Sequence, residues 1–230
     1  MRTIAAYAAS GLIVSLAAAL SACGGSESVS SPAAATLAPS TAAAISPSRP
    51  TATPARASAT AAPTPVSAAT PTCTSGAAAT PSQTEGPYFK AGSPERASLL
   101  ESGTAGTKLV VAGYVLTRDC KPVAGAVLDF WQADDRGNYD NTGYTLRGHQ
   151  TSASDGSYRL ETIVPGLYTG RTEHIHVKVQ APGKTPLTTQ LYFPGVTEND
   201  SDGIFDRRLL MDVRDAAGGK AATFDFILDL

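Results

Sequence analysis

The residues His174-Ile175-His176-Val177-Lys178-Val179-Gln180 alternate strictly between polar and apolar. That pattern permits little except a strand with one face against a core. Ile175, Val177 and Val179 supply the core face, and His174, His176, Lys178 and Gln180 the opposite, more polar one. Further short β-rich runs lie at Leu109–Leu116, Ala126–Trp131, Tyr158–Ile163, Thr188–Phe193, Leu209–Val213 and Thr223–Leu228. Between them stand turn dipeptides: Asp155-Gly156, Pro165-Gly166, Pro182-Gly183, Pro194-Gly195 and Gly218-Gly219. Many short strands with turn chemistry between them predict an all-β domain, a β-sandwich. The polar, glycine-bearing stretch from Gln132 to Gln150 shows no strand pattern and reads as a long loop, which in a compact domain is often functional.

Upstream the character changes. Met1-Arg2, an apolar run from Ile4 to Leu20 and then Leu20-Ser21-Ala22-Cys23 describe a secretory signal. Cysteine directly after Leu-Ser-Ala resembles the bacterial lipobox, so residues 1–23 are expected to be a lipoprotein signal with Cys23 lipidated. The competing reading is an uncleaved membrane helix. Residues 24–71 are dominated by Ala, Ser, Thr and Pro and cannot bury enough apolar surface to offset ordering, which predicts a disordered tether. Residues 72–230 have the size of one domain. The expected location is outside the cytoplasm, lipid-anchored at the cell envelope. In that oxidising setting Cys73 and Cys120, the cysteines left after Cys23, read as a disulfide. A net charge of −2 with no Lys/Arg cluster argues against a nucleic-acid partner.

The chain has 3 histidines, and two of them stand at i and i+2 on the alternating strand. That spacing points both imidazoles to one side, as two ligands of one metal require. Taken alone it fits zinc as well as iron. Tyr168 sits in the turn Pro165-Gly166-Leu167-Tyr168 ahead of the strand, and Tyr139 follows Gly137-Asn138 in the long loop, with Tyr144 its rival. Two phenolates joining two imidazoles make a hard, anionic set that favours a ferric ion.

Five segments carry a family resemblance: Thr84-Glu85-Gly86-Pro87-Tyr88-Phe89, Trp131-Gln132-Ala133-Asp134 with Gly137-Asn138-Tyr139, Pro165-Gly166-Leu167-Tyr168, Arg171-Thr172-Glu173-His174-Ile175-His176, and Gln190-Leu191-Tyr192-Phe193. In this order they resemble the intradiol ring-cleavage dioxygenases. The resemblance implies a prealbumin-like sandwich with long functional loops and a non-haem Fe(3+) cofactor. It places the metal ligands at Tyr139, Tyr168, His174 and His176, choosing Tyr139 over Tyr144. It assigns Arg171 to electrostatic stabilisation, Gln190 to the pocket and Tyr168 to substrate deprotonation. The implied partners are a catechol-type substrate and O2, with a muconate-type diacid as product. Better-known catechol members carry a helical dimerisation region where this chain has the tether, which leaves a homodimer open. The alternatives are a catalytically inactive binding module on the same sandwich, and a zinc site on His174 and His176.

Overall fold

The computed structural model describes residues 70–168 and 170–230. The signal, Cys23 and nearly all of the tether lie outside the described residues. Nine strands form two sheets. The strands are β1 (Lys108–Thr117), β2 (Val127–Trp131), β3 (Arg147–Thr151), β4 (Ser157–Ile163), β5 (His174–Gln180), β6 (Leu187–Tyr192), β7 (Asp212–Ala216), β8 (Gly219–Thr223) and β9 (Phe226–Leu228). One sheet runs β4-β1-β8-β7, with β9 on the far end of β1, and the other runs β3-β2-β5-β6. Only 3-10 turns, at Thr197–Asp200 and Arg207–Leu209, interrupt the β architecture among the described residues.

The core lies between the sheets and follows from period-two patterning. Leu109, Val111 and Val115 of β1 meet Leu128 and Phe130 of β2, Ile175, Val177 and Val179 of β5, and Leu191 of β6, all buried. Each such side chain contributes about 1.5–3 kcal/mol relative to exposure. Cys73 and Cys120 are joined in a disulfide spanning a sequence separation of 47. It staples the start of the described chain to the turn after β1, and the loop it closes corresponds to roughly 4 kcal/mol of denatured-state entropy.

The structure departs from the sequence reading at four places. The stretch taken as one long loop contains β3, a strand of Arg147-Gly148-His149-Gln150-Thr151 whose polar side chains hide its periodicity. The single run expected at Thr223–Leu228 breaks between β8 and β9. The strand expected at Leu209–Val213 shifts to Asp212–Ala216, because Leu209 closes a 3-10 turn capped by Asp206. The side of β5 read as a polar face is not an open surface throughout, for His174 and His176 are only 4% and 3% exposed.

The antiparallel register explains what sits beside the histidines. Arg147 of β3 faces Trp131 of β2, Trp131 faces His176 of β5, and His176 faces Gln190 of β6. Directly opposed residues share a face, so these four form one row across the sheet on the side away from the core. His174 opposes Tyr192 one step along.

Candidate metal centre

Two loops roof that row, and glycines let them meet. Gly137 has φ +81, and a Cβ there would fall 2.0 Å from the carbonyl oxygen of Leu167. Gly166 is equally tight, its missing Cβ lying 2.5 Å from the Asp135 carbonyl oxygen. The Asp134 carbonyl accepts from Gly166 N (2.7 Å) and Gly137 N (3.1 Å), stitching the loop of Tyr139 to the turn of Tyr168. Buried Arg147 adds a third strand of chain. Its guanidinium donates to the carbonyls of Asp140 (2.9 and 3.1 Å) and Tyr88 (2.6 Å). Asp140 fixes its own turn by accepting from the backbone of Thr142, Gly143 and Thr145, which holds its carboxyl well below the usual range.

At the centre, His174 Nδ1 donates to the Thr172 carbonyl at 2.6 Å, which leaves Nε2 bare and facing inward. His176 Nε2 lies 3.1 Å from it, and the Tyr139 hydroxyl 3.3 Å. Tyr139 and His176 thus converge on a single lone pair. Burial pushes His174 down to about 4, and burial followed by the charges of His174, Arg171 and Arg147 holds His176 well below its ordinary value. Burial also raises the Tyr139 phenol, while Arg171 and Arg147 pull it back. A dry cluster of two neutral imidazoles and a phenol around one point is what a cation completes, by replacing the missing protons. No three His, Cys, Asp or Glu side chains converge among the described residues.

Tyr168 stands edge-on to Tyr139, with ring centroids 6.0 Å apart, and its hydroxyl lies 3.0 Å from that of Tyr88. Tyr88 in turn stacks on Tyr139 at 4.4 Å. Tyr144 points elsewhere, its hydroxyl donating to the Ala91 carbonyl. Trp131 stacks on His176 at 4.7 Å with an interplanar angle of 8°, and Phe89 meets Trp131 edge-on at 4.9 Å. Gly86 lets its loop pass over the same ring, a Cβ there lying 3.3 Å from His176 Cε1.

Arg171 is aimed by a buried counter-charge. Its Nε donates to Asp202 Oδ2 at 2.9 Å, and one terminal nitrogen donates to Gln190 Oε1 at 2.6 Å. Asp202 also accepts from Thr172 N and Ile204 N. Burial works against its charge, but these bonds together with Arg171 outweigh it and keep the carboxyl below its usual range. Gln190 Nε2 donates to the Thr84 carbonyl, so both ends of its amide are fixed. A cavity of about 370 Å³ opens beside Tyr168 and Arg171.

Sequence reasoning had named Tyr139, Tyr168, Arg171, His174, His176 and Gln190, and the structure gathers all six around this point. It had missed Tyr88, Trp131, Arg147, Asp202 and Thr172. Tyr88 and Trp131 lie inside resemblance segments, a usable signal, but nothing local marks Asp202.

Comparison with known proteins bears on this geometry. A family model described as dioxygenase matches residues 84–229. The chain is 31% identical over 173 residues to chlorocatechol 1,2-dioxygenase of Pseudomonas sp. (strain P51), covering 63% of this chain and 68% of that protein. It is 34% identical over 172 residues to 6-chlorohydroxyquinol 1,2-dioxygenase of Cupriavidus pinatubonensis, covering 63% and 62%. It spans 60% of chlorocatechol 1,2-dioxygenase of Rhodococcus opacus and 49% of hydroxyquinol 1,2-dioxygenase of Nocardioides simplex. Among solved structures, the dioxygenase domain of a dioxygenase carbohydrate-binding protein fusion from Streptomyces sp. SirexAA-E is similar at 60% identity. That match has a TM-score of 0.66 and covers 66% of this chain and 99% of that one.

Proposed function

Since the chain belongs to the intradiol ring-cleavage dioxygenases, we propose that it uses O2 to cleave a catecholic aromatic between its two hydroxyl-bearing carbons, giving a muconate-type diacid. The observation that carries the proposal is the convergence of His174, His176 and Tyr139 at 3.1–3.3 Å in a dry site roofed by Tyr168. Family members use non-haem iron. Here Tyr139, Tyr168, His174 and His176 would hold it, and their hard, anionic character fits Fe(3+). The bound ion supplies Lewis acidity toward the catechol oxygens and couples the electron-rich ring to O2.

The chain's own groups do the rest. The Thr172 carbonyl fixes the His174 tautomer so that Nε2 faces the site. A catechol that binds through both oxygens loses two protons: Tyr168 Oη, as the phenolate it would be when holding the ion, would take one, and the other would leave to solvent. Its neighbour at 3.0 Å, Tyr88 Oη, is placed to hydrogen-bond the protonated Tyr168 phenol or to pass the proton outward. The Arg171 guanidinium, braced by Asp202 and Gln190, stabilises negative charge that builds on the ring, a role of the kind that costs 10²- to 10³-fold in rate, roughly, when removed. Trp131, Phe89 and Tyr88 keep water from the histidine side.

The test combines a spectrum with a rate. Trp131 is the chain's only tryptophan and stacks on His176, so iron loading should quench its fluorescence in step with a visible charge-transfer colour. The loaded protein should then consume O2 with catechol. A colourless protein that takes up no O2 would overturn the proposal.

We propose also that the protein is exported and anchored through a lipid on Cys23. Supporting this are Leu20-Ser21-Ala22-Cys23 and a disulfide expected only in an oxidising compartment. Labelled fatty acid should enter the wild-type chain but not Cys23→Ala; equal labelling would remove the anchor.

A further inference from the structure

The cavity beside the candidate centre carries, next to Tyr168 and Arg171, residues that the proposed reaction does not use. It is lined by Leu167, Tyr168, Gly170, Arg171, Glu198 and Ser201. Two of these carry charge, and they are not equivalent. Arg171 is paired with Asp202 at 2.9 Å, whose side chain is only 2% exposed, so the two charges balance. Glu198 forms no ion pair and its carboxylate accepts no hydrogen bond among the described residues. The cavity wall therefore carries one uncompensated negative charge.

Glu198 is held there by a rigid turn. Its carbonyl accepts from Ser201 N (3.1 Å), Asp202 N (2.9 Å) and Ser201 Oγ (3.2 Å). The next residue, Asn199, is pinned from two sides, accepting from Thr172 Oγ1 at 2.7 Å and donating to the Phe193 carbonyl at 2.9 Å. The turn that carries Glu198 is thus tied to the segment leading into His174. No lysine or arginine other than Arg171 lines the cavity. Glu173, near Glu198, has Lys220 for a neighbour, and that lysine is paired with Asp215 at 2.8 Å.

A catechol whose two oxygens reach the histidine and tyrosine donors must turn the opposite edge of its ring toward the cavity. On that reading a substituent at ring position 4 would face this cavity, whose lining includes Glu198. We propose that Glu198 sets substrate class: the site takes catechols whose ring substituent is neutral or cationic and rejects those carrying a carboxylate. The inference rests on the dioxygenase reading above. Two like charges about 6 Å apart in a half-wet cleft differ from a neutral pair by roughly tenfold in binding.

Anaerobic titration of the iron-loaded protein, followed by its visible absorbance, gives Kd without turnover. The probes are 4-methylcatechol, protocatechuate and 4-(aminomethyl)catechol, alike in size and differing in charge. Protocatechuate should bind at least tenfold more weakly than 4-methylcatechol, and 4-(aminomethyl)catechol as tightly or more so. Glu198→Gln should cut the protocatechuate penalty severalfold and Glu198→Lys should reverse it. A wild-type protein without the penalty, or a penalty unchanged in both variants, would overturn the role of Glu198. O2 uptake with 4-methylcatechol reports separately on the dioxygenase reading. Binding with the charge order above but no O2 uptake sinks that reading alone, whereas failure to bind any catechol sinks both.

Discussion

Two neighbouring rows on one sheet face have opposite fates. The row Arg147–Trp131–His176–Gln190 and the next one, His149–Asp129–Lys178–Thr188, cross the same four strands in the same order. Every member of the first is at most 3% exposed, and every member of the second is half-buried. In the second row the polar groups find partners on neighbouring loops. Ser93 donates to Asp129 at 2.8 Å and sits 3.1 Å from His149 Nδ1, while Lys178 pairs with Glu85 and lies over the Phe89 ring. In the first row His176 Nδ1 and Trp131 Nε1 have no hydrogen-bond partner among the described residues. Strand periodicity supplies both rows alike. Only the roof of loops turns one of them into a dry site with donors left over for a ligand.

Mutations can break this comparison, the largest effect first. His176→Ala should abolish iron binding, colour and O2 uptake together, as loss of one inward donor leaves the set too weak. Retained colour in that variant would separate the first row from the metal.

Gly137→Ala forces a side chain against the Leu167 carbonyl and strains a left-handed backbone, at a cost of about 1–3 kcal/mol at least. Iron affinity should fall with stability, since the loops of Tyr139 and Tyr168 separate. Thermal melts and iron titrations of the same variant check the link.

Asp202→Asn keeps the shape but removes the charge that aims Arg171. We expect kcat to drop on the order of ten- to a hundredfold with the iron colour intact. If colour and kcat fall together, Asp202 holds the fold rather than the arginine.

The iron-free protein should lose stability in acid. His174, lowered to about 4, stays neutral in the fold while the unfolded chain takes up a proton near its ordinary 6.5. Between those values the unfolded state binds more protons, so stability is full above about pH 6.5 and declines toward pH 4. Bound iron, which would keep both imidazoles deprotonated in the fold, should raise stability overall and steepen that slope. Denaturant midpoints measured with and without iron test the sign.

Lys178→Ala, on the same strand face as His176, should change stability by only about 0–1 kcal/mol and leave iron binding alone. A large effect there would erase the distinction between the rows.

How much of this was legible beforehand depends on the kind of contact. The bounds of β5 and the polar side of its histidines follow from alternation, and the resemblance segments mark the tyrosines, Arg171 and Gln190. β3 was not legible, because Arg147, His149 and Thr151 look like loop residues until a roof buries Arg147. Asp202 was not legible either, since it lies 31 positions from the arginine it braces.

The sequence by itself determined the all-β character, the core face of β5, and the residues that converge on the candidate centre. The first two are properties of local period; the last came from the family resemblance, which also chose Tyr139 over Tyr144. The tertiary structure decided the rest: that Trp131 and Arg147 join His176 in one row, and that Asp202 aims Arg171. It also decided that Glu198 stands at the cavity wall without a partner among the described residues. Register and loop contact set these relations, and both depend on residues distant in the chain closing on one another.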